Sequence, residues 1–209
     1  MRTMSLFLYK LSMIGNQSNA PNAISWATKL TLAGLVWWRN GSPNPLWLST
    51  VLMRRVSKLW DQGELARARF LNTHIISLFG LLETKVKQHN LGQLYQYLCP
   101  GWCFSHNLTW SDKGRIIIGW QHTSMYIQIG WCSSQMMHLE VQPIRGPHFS
   151  CTFVYGSSFK HEWCAMFQQL EKLATHCNGP WIVLGDFNCI ANFNERIGQQ
   201  VKLSEISPP

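Results

Sequence analysis

The 209-residue chain is short of charge. Asp, Glu, Lys and Arg together make up 13% of it, against roughly 25% in an average soluble domain. Acids are the scarcer sign, with 10 against 18 Lys plus Arg, which leaves a formal charge of +8 and a pI near 9.3. No run reaches the ~18 apolar residues that a membrane-spanning helix requires. The best stretch, Ile24 to Trp38, is shorter and contains Lys29. The N-terminus is a poor signal peptide, since Lys10 follows the apolar patch at Leu6–Tyr9 and Ser18-Asn19-Ala20 is a faint cleavage site. These features point to an intracellular chain with no membrane partner. The seven cysteines contain no CxxC pair, which speaks against a secreted disulfide scaffold and a zinc ribbon. Cys99/Cys103 and His176/Cys177 are a conceivable metal cluster. Buried free thiols are the simpler reading.

What is present is apolar and aromatic residues, at 46% and 12%, including 11 tryptophans. That is enough for a core and excludes wholesale disorder. The basic balance fits a polyanionic partner, nucleic acid first, or simply a solvated surface. No obligate protein partner is identifiable.

Three segments follow from texture. Residues 1–61 lack a sustained period, hold five tryptophans and contain the turn-forming Asn-Gly-Ser-Pro-Asn-Pro at 40–45. They read as an irregular segment. Residues 62–198 read as a folded domain, and 199–209 as a tail. Within the domain, Glu64–Thr73 has helical spacing, and Ile75–Leu82 is a strand apolar on both faces, ending in Glu83-Thr84-Lys85. Gly114-Arg115 opens a β-rich block: Ile116–Trp120, Met125–Trp131, Met137–Gln142 and Phe149–Tyr155, spaced like an antiparallel meander. Phe159, Trp163, Phe167, Leu170 and Leu173/Ala174 form one stripe of a helix that stops at Gly179-Pro180. Trp181–Leu184 is a second buried strand delivering Gly185-Asp186-Phe187-Asn188. Strand blocks covered by helices imply a layered α/β sandwich.

Two carboxylates, Glu83 and Asp186, therefore follow the ends of core strands, where rigid elements aim side chains into a cleft. Such oxygens suit Mg²⁺. A strand-capping Glu83 and a turn at Asp186–Asn188 are the plainer alternatives.

The order of these segments, continuing to Glu195-Arg196 and Gly198, resembles the endonuclease/exonuclease/phosphatase superfamily. More narrowly it is similar to the apurinic-type endonuclease domain of plant LINE-type (non-LTR) retrotransposons, over about residues 64–198. The resemblance implies a four-layer α/β sandwich and Mg²⁺-dependent DNA cleavage in the nucleus. It implies Glu83 as metal ligand, Tyr155 near the scissile phosphate, Asp186 aligning water and Asn188 holding the phosphate. Lys85, Arg115 and Arg196 become substrate-binding candidates. The pattern is also broken. No first-strand asparagine motif precedes Glu83, with Ala27 after Trp26 where it would stand, and no Ser-Asp-His ending occurs in the 209 residues. The expectation is a partial sandwich lacking its C-terminal half, with sheet faces either open and prone to aggregation or covered by the Trp-rich N-terminal segment, and with weak or no activity. A non-catalytic basic nucleic-acid-binding remnant is the alternative.

Overall fold

A computed structural model describes residues 6–9, 27–31, 34–39, 50–54, 76–84, 86–110 and 115–188, the first four of these stretches as backbone strands. The strands are β1 (Leu6–Tyr9), β2 (Ala27–Thr31), β3 (Gly34–Arg39), β4 (Thr50–Arg54), β5 (Leu78–Leu82), β6 (Cys103–His106), β7 (Ile116–Trp120), β8 (Met125–Cys132), β9 (Met136–Pro143), β10 (Phe149–Tyr155) and β11 (Trp181–Asp186). Among the described residues two α-helices accompany them, α1 (Leu91–Leu98) and α2 (Lys160–His176).

The strands form two mixed sheets. One has the order β1-β4-β5-β7-β6 and the other β2-β3-β11-β10-β9-β8. The continuous apolar runs become β5, β7, β10 and β11 because each is buried on both faces. One face of each sheet meets the other sheet. Leu78, Leu82, Ile116 and Ile118 from the first pack with Met137, Leu139, Cys151, Phe153, Ile182 and Leu184 from the second. The opposite face of the first sheet, at Ile76, Phe79, Leu81 and Ile117, is covered by Leu91, Leu94 and Leu98 of α1. The opposite face of the second, at Met136, Val154, Trp181 and Val183, is covered by α2 through Met166, Phe167, Leu170 and Leu173. The result is a four-layer α/β sandwich, as the layered reading expects.

Three expectations change. Residues 1–61 are not wholly irregular: β3 pairs antiparallel with β11 over Gly185↔Leu35 to Trp181↔Arg39, and β4 pairs parallel with β5 over Thr50↔Leu78 to Arg54↔Leu82. Strand pairing is a long-range property, so a short segment without amphipathic order still becomes a strand when a neighbour offers an edge. The sheets therefore cross the 61/62 boundary. Among the described residues the two inner sheet faces are not open either, because each is packed against the other. Finally, β7 does not continue the β8-β9-β10 meander. It pairs with β5 and β6 in the other sheet. The helix expected at Glu64–Thr73 and the tail 199–209 lie outside the described residues.

Of the described cysteines, Cys99, Cys151 and Cys177 are buried thiols and none is in a disulfide. Burial pushes the Cys151 thiol well above its ordinary range. Among the described residues, no helix is long and apolar enough to cross a membrane.

Candidate active site

The site is set by which strand ends meet. In the first sheet, Leu82 pairs with Ile116 antiparallel. The next residue on β5, Glu83, and the residue before β7, Arg115, therefore occupy the same end. His106 pairs with Ile117, so Asn107 is also at this end. In the second sheet, Tyr155 pairs with Asp186 in the parallel ladder of β10 and β11. Val154 pairs with Met136, and Met137 with Cys132. The β8–β9 turn, Ser133 to Gln135, thus shares the end that carries Tyr155 and Asp186.

Two contacts show that these ends face each other across the sandwich. The Arg115 guanidinium lies over the Tyr155 ring, 5.8 Å from its centroid. The fully buried Asn107 side chain donates from Nδ2 to the carbonyls of Ser133 (3.0 Å) and Ser134 (3.1 Å). Its Oδ1 accepts the backbone N–H groups of Arg115 (3.1 Å) and Ile116 (2.9 Å). Every hydrogen-bonding position of the amide is used, and one residue ties the rim of the first sheet to the rim of the second. Asn107 was not among the residues singled out from sequence. A lone asparagine between His106 and Leu108 carries no local signal of this kind.

Two residues at this end, one of the carboxylates and the asparagine after the other, stand on unusual backbone. Glu83 has φ of 55° and Asn188 of 51°, left-handed values that non-glycine residues adopt at a cost and that cluster where function demands a fixed direction. Glu83 Oε2 and Asp186 Oδ2 are each shielded from solvent. Asp186 Oδ1 accepts the N–H of Asn188 at 3.0 Å. The Asn188 amide donates to the carbonyl of Gly156 at 2.6 Å, and Gly156 N–H donates to the Asp186 carbonyl at 2.7 Å. Asn188 thus ties the β10 end to the β11 end. One N–H of the Asn188 amide is committed to the loop that follows Tyr155, which leaves its second N–H for the phosphate contact that the resemblance implies. Gly156 is required by this closeness, since a Cβ there would collide with the Phe187 carbonyl.

Gln135 fixes the same loop from the other side. Its carbonyl accepts Tyr155 N–H at 2.8 Å. Its side chain accepts Ser157 N–H at 2.7 Å and donates to the Glu162 carbonyl at 3.1 Å. Trp163 Nε1 donates to the Ser157 carbonyl at 2.6 Å, so the first turn of α2 is bolted to the end of β10. Sequence reading missed Gln135 as well.

The structure therefore brings Glu83, Arg115, Tyr155, Asp186 and Asn188 to one end of the sandwich. Lys85 and Arg196 lie outside the described residues. Among those residues no group of three or more His, Cys, Asp or Glu is arranged to hold a metal. A magnesium ion needs less: one or two carboxylates, with water and substrate oxygens completing an octahedron. Two shielded carboxylate oxygens at one end are a donor set of that kind.

No protein-family model matches the chain, and no curated protein does. Solved structures resemble it in part. A mannosyl-6-phosphatase of Bacteroides thetaiotaomicron is 16% identical at a TM-score of 0.48, over 66% of this chain and 65% of its own. D. rerio TDP2 complexed with a single-strand DNA product is 17% identical at 0.46, over 68% and 61%. An endonuclease/exonuclease/phosphatase family protein of B. thetaiotaomicron is 14% identical at 0.45, over 66% and 62%. The chain thus spans less than two thirds of the length of these structures. The likeness is partial, and the chemistry below rests on this chain's own residues.

Proposed function

We propose that the chain is a divalent-metal-dependent phosphodiesterase module acting on DNA, of the endonuclease type that plant LINE-type elements carry. The observation that supports this most is the Arg115–Tyr155 contact at 5.8 Å, because it sets the Glu83 end of one sheet against the Asp186 end of the other. Glu83 and Asp186 would hold a Mg²⁺ ion, whose role when bound is to neutralise charge on a phosphoryl oxygen.

The protein groups divide the remaining work. Asp186 has one oxygen fixed by Asn188 N–H, which leaves its carboxylate in one orientation for aligning an attacking water. Arg115 places a permanent cation at the rim, suited to a non-bridging phosphate oxygen. The Tyr155 hydroxyl is the neutral donor on the same rim. Asn188 and Gln135 act through the backbone by holding the Tyr155–Ser157 loop still. Removing a preorganised donor of this sort costs on the order of 10²–10³ in rate. Slow catalysis is the proposal for these 209 residues, which contain no Ser-Asp-His element of the resembled kind.

Supercoiled-plasmid nicking with Mg²⁺ is the test. Slow nicking, abolished by chelator and by Glu83→Gln or Asp186→Asn, is the expected result. DNA affinity that falls steeply with salt, needs no metal and is accompanied by no nicking would replace this reading with a non-catalytic binding module.

A further inference from the structure

Strand β8 is the last strand of its sheet, and its outer side is suited to receive another strand. Among the described residues it pairs only with β9. Ile144 N–H donates to the Ser124 carbonyl at 2.9 Å, which makes Ser124 and Ile144 a hydrogen-bonded pair of the antiparallel ladder. Such pairs alternate with open ones. Tyr126 and Gln128 therefore spend their backbone groups on β9, and Met125, Ile127 and Ile129 turn theirs outward. Pro143 stands opposite Met125, where this phase needs no N–H directed at β8.

Edges of this kind are normally blunted by charge, proline, a bulge or a covering segment. Met125–Ile129 holds no charged residue and no proline, and the irregularity in its ladder lies beyond it, between Ile129 and Trp131. No Asp, Glu, Lys or Arg occurs between Arg115 and Glu140. The same strand carries three of the six large apolar side chains exposed among the described residues: Tyr126 (69%), Ile129 (36%) and Trp131 (48%).

We infer that β8 pairs with β8 of a second copy of this chain, antiparallel about a two-fold axis at Ile127. The register follows from the outward backbone groups. With Ile127 opposite itself, Met125 meets Ile129 of the second copy, and Ile129 meets its Met125. All three outward-facing residues then form hydrogen-bonded pairs. Moving the axis to Tyr126 or Gln128 leaves Ile129 or Met125 without a strand partner. An axis between residues sets outward groups against spent ones. The occupant is a second copy because this edge is neutral in a chain of net charge +8. Like-charged copies repel least where they carry no charge, and an acidic or basic partner finds nothing here to pair with. The contact is self-complementary and closes at two copies. Tyr126 lies beside Gln128 of the second copy in a close, non-hydrogen-bonded pair, and the symmetry makes this pair twice. Because the strands run antiparallel, the two carboxylate ends point in opposite directions and both stay accessible.

Sedimentation velocity of the full chain over a range of concentrations, without metal or DNA, is the test. The parent is expected to shift reversibly from monomer to dimer as concentration rises. Tyr126→Lys combined with Gln128→Lys sets like charges opposite at both close pairs, and should weaken dimerisation roughly tenfold or more. Tyr126→Glu combined with Gln128→Lys sets opposite charges at the same places, and should dimerise roughly tenfold or more tightly than the like-charge variant. Both side chains are exposed, and the cation at Gln128 also faces Glu140 on β9, so the variants keep the fold, which circular dichroism checks. A parent that sediments as a monomer at every concentration its solubility allows would overturn the inference. So would a like-charge variant that dimerises as the parent does, since the contact then lies elsewhere. An opposite-charge variant no tighter than the like-charge one would rule out this register. Parent oligomers that grow past the dimer would replace the closed pair with open-ended association.

Discussion

Replacing Asn107 with alanine tests how the two halves of the site are held together. The side chain is fully buried and bridges two N–H groups at the start of β7 to two carbonyls at the β8–β9 turn, all at 2.9–3.1 Å. Alanine fills little of that space and offers no polar atom. The Ile116 N–H, in a fully buried residue, loses its Oδ1 acceptor with no water at hand, at about 1–2 kcal/mol. The other three groups are nearer the surface and recover part of their bonding from solvent, at about 0.5 kcal/mol each. The sum is about 3 kcal/mol, or roughly 6–12 °C in Tm for a chain of this size. Urea unfolding followed by circular dichroism measures it. Asn107→Asp should be no better, because it keeps the acceptors but turns lone pairs toward two carbonyls. Arg115 is the residue whose backbone is released, so Asn107→Ala should also weaken DNA binding before it unfolds the chain. A loss below about 1 kcal/mol would refute the idea that this amide couples the sheets.

Two further outcomes follow from buried polar groups. Tyr95 stacks on Phe104 at 4.3 Å, and its hydroxyl is shielded from solvent with no hydrogen-bond partner; burial pushes its pKa up to about 12. Tyr95→Phe keeps the stack and removes the desolvated oxygen, so stability should be unchanged or higher by about 1 kcal/mol, and a comparable loss in urea unfolding would contradict this. His138 lies between Thr152 (2.7 Å) and Glu140 (3.0 Å), and burial holds its pKa below the usual histidine range against the opposing pull of Glu140. Above about pH 6.5 the imidazole is neutral folded and unfolded, and contributes no pH dependence. As pH falls from there the unfolded chain takes up the proton first, so stability declines by up to about 1.4 kcal/mol per pH unit. Unfolding free energies between about pH 7 and 5.5 should show that decline, and His138→Gln should flatten it. His106, which burial shifts the same way, adds to the slope that remains.

Much of the frame was legible in local pattern. Leu78–Leu82 and Trp181–Asp186 are strands because unbroken apolar runs bounded by polar residues fit a doubly covered sheet. The stripe Trp163, Phe167, Leu170 and Leu173 is the inner face of α2, although Phe159, placed at its head by spacing, is exposed just before the helix. What pattern does not carry is which strands become neighbours. That β3 lies beside β11, and that β7 leaves the meander for the other sheet, depends on pairings far apart in sequence. The same holds at the site. Glu83 and Asp186 stand out because each ends a recognisable strand. Asn107 and Gln135 link the elements through side-chain partners 22 to 27 residues away, and nothing beside them announces it. Asn188 shows the reverse: its position was legible, but not that one N–H of its amide serves the Gly156 carbonyl.

The most direct measurement is Mn²⁺ binding to the full chain, followed by electron paramagnetic resonance, in the parent, Glu83→Gln, Asp186→Asn and the double variant. If both carboxylates serve one ion, the parent binds a single Mn²⁺, each single variant loses most of that affinity, and the double variant is scarcely worse than either. Two sites, or losses that simply add, would mean that the ends of β5 and β11 do not form one centre.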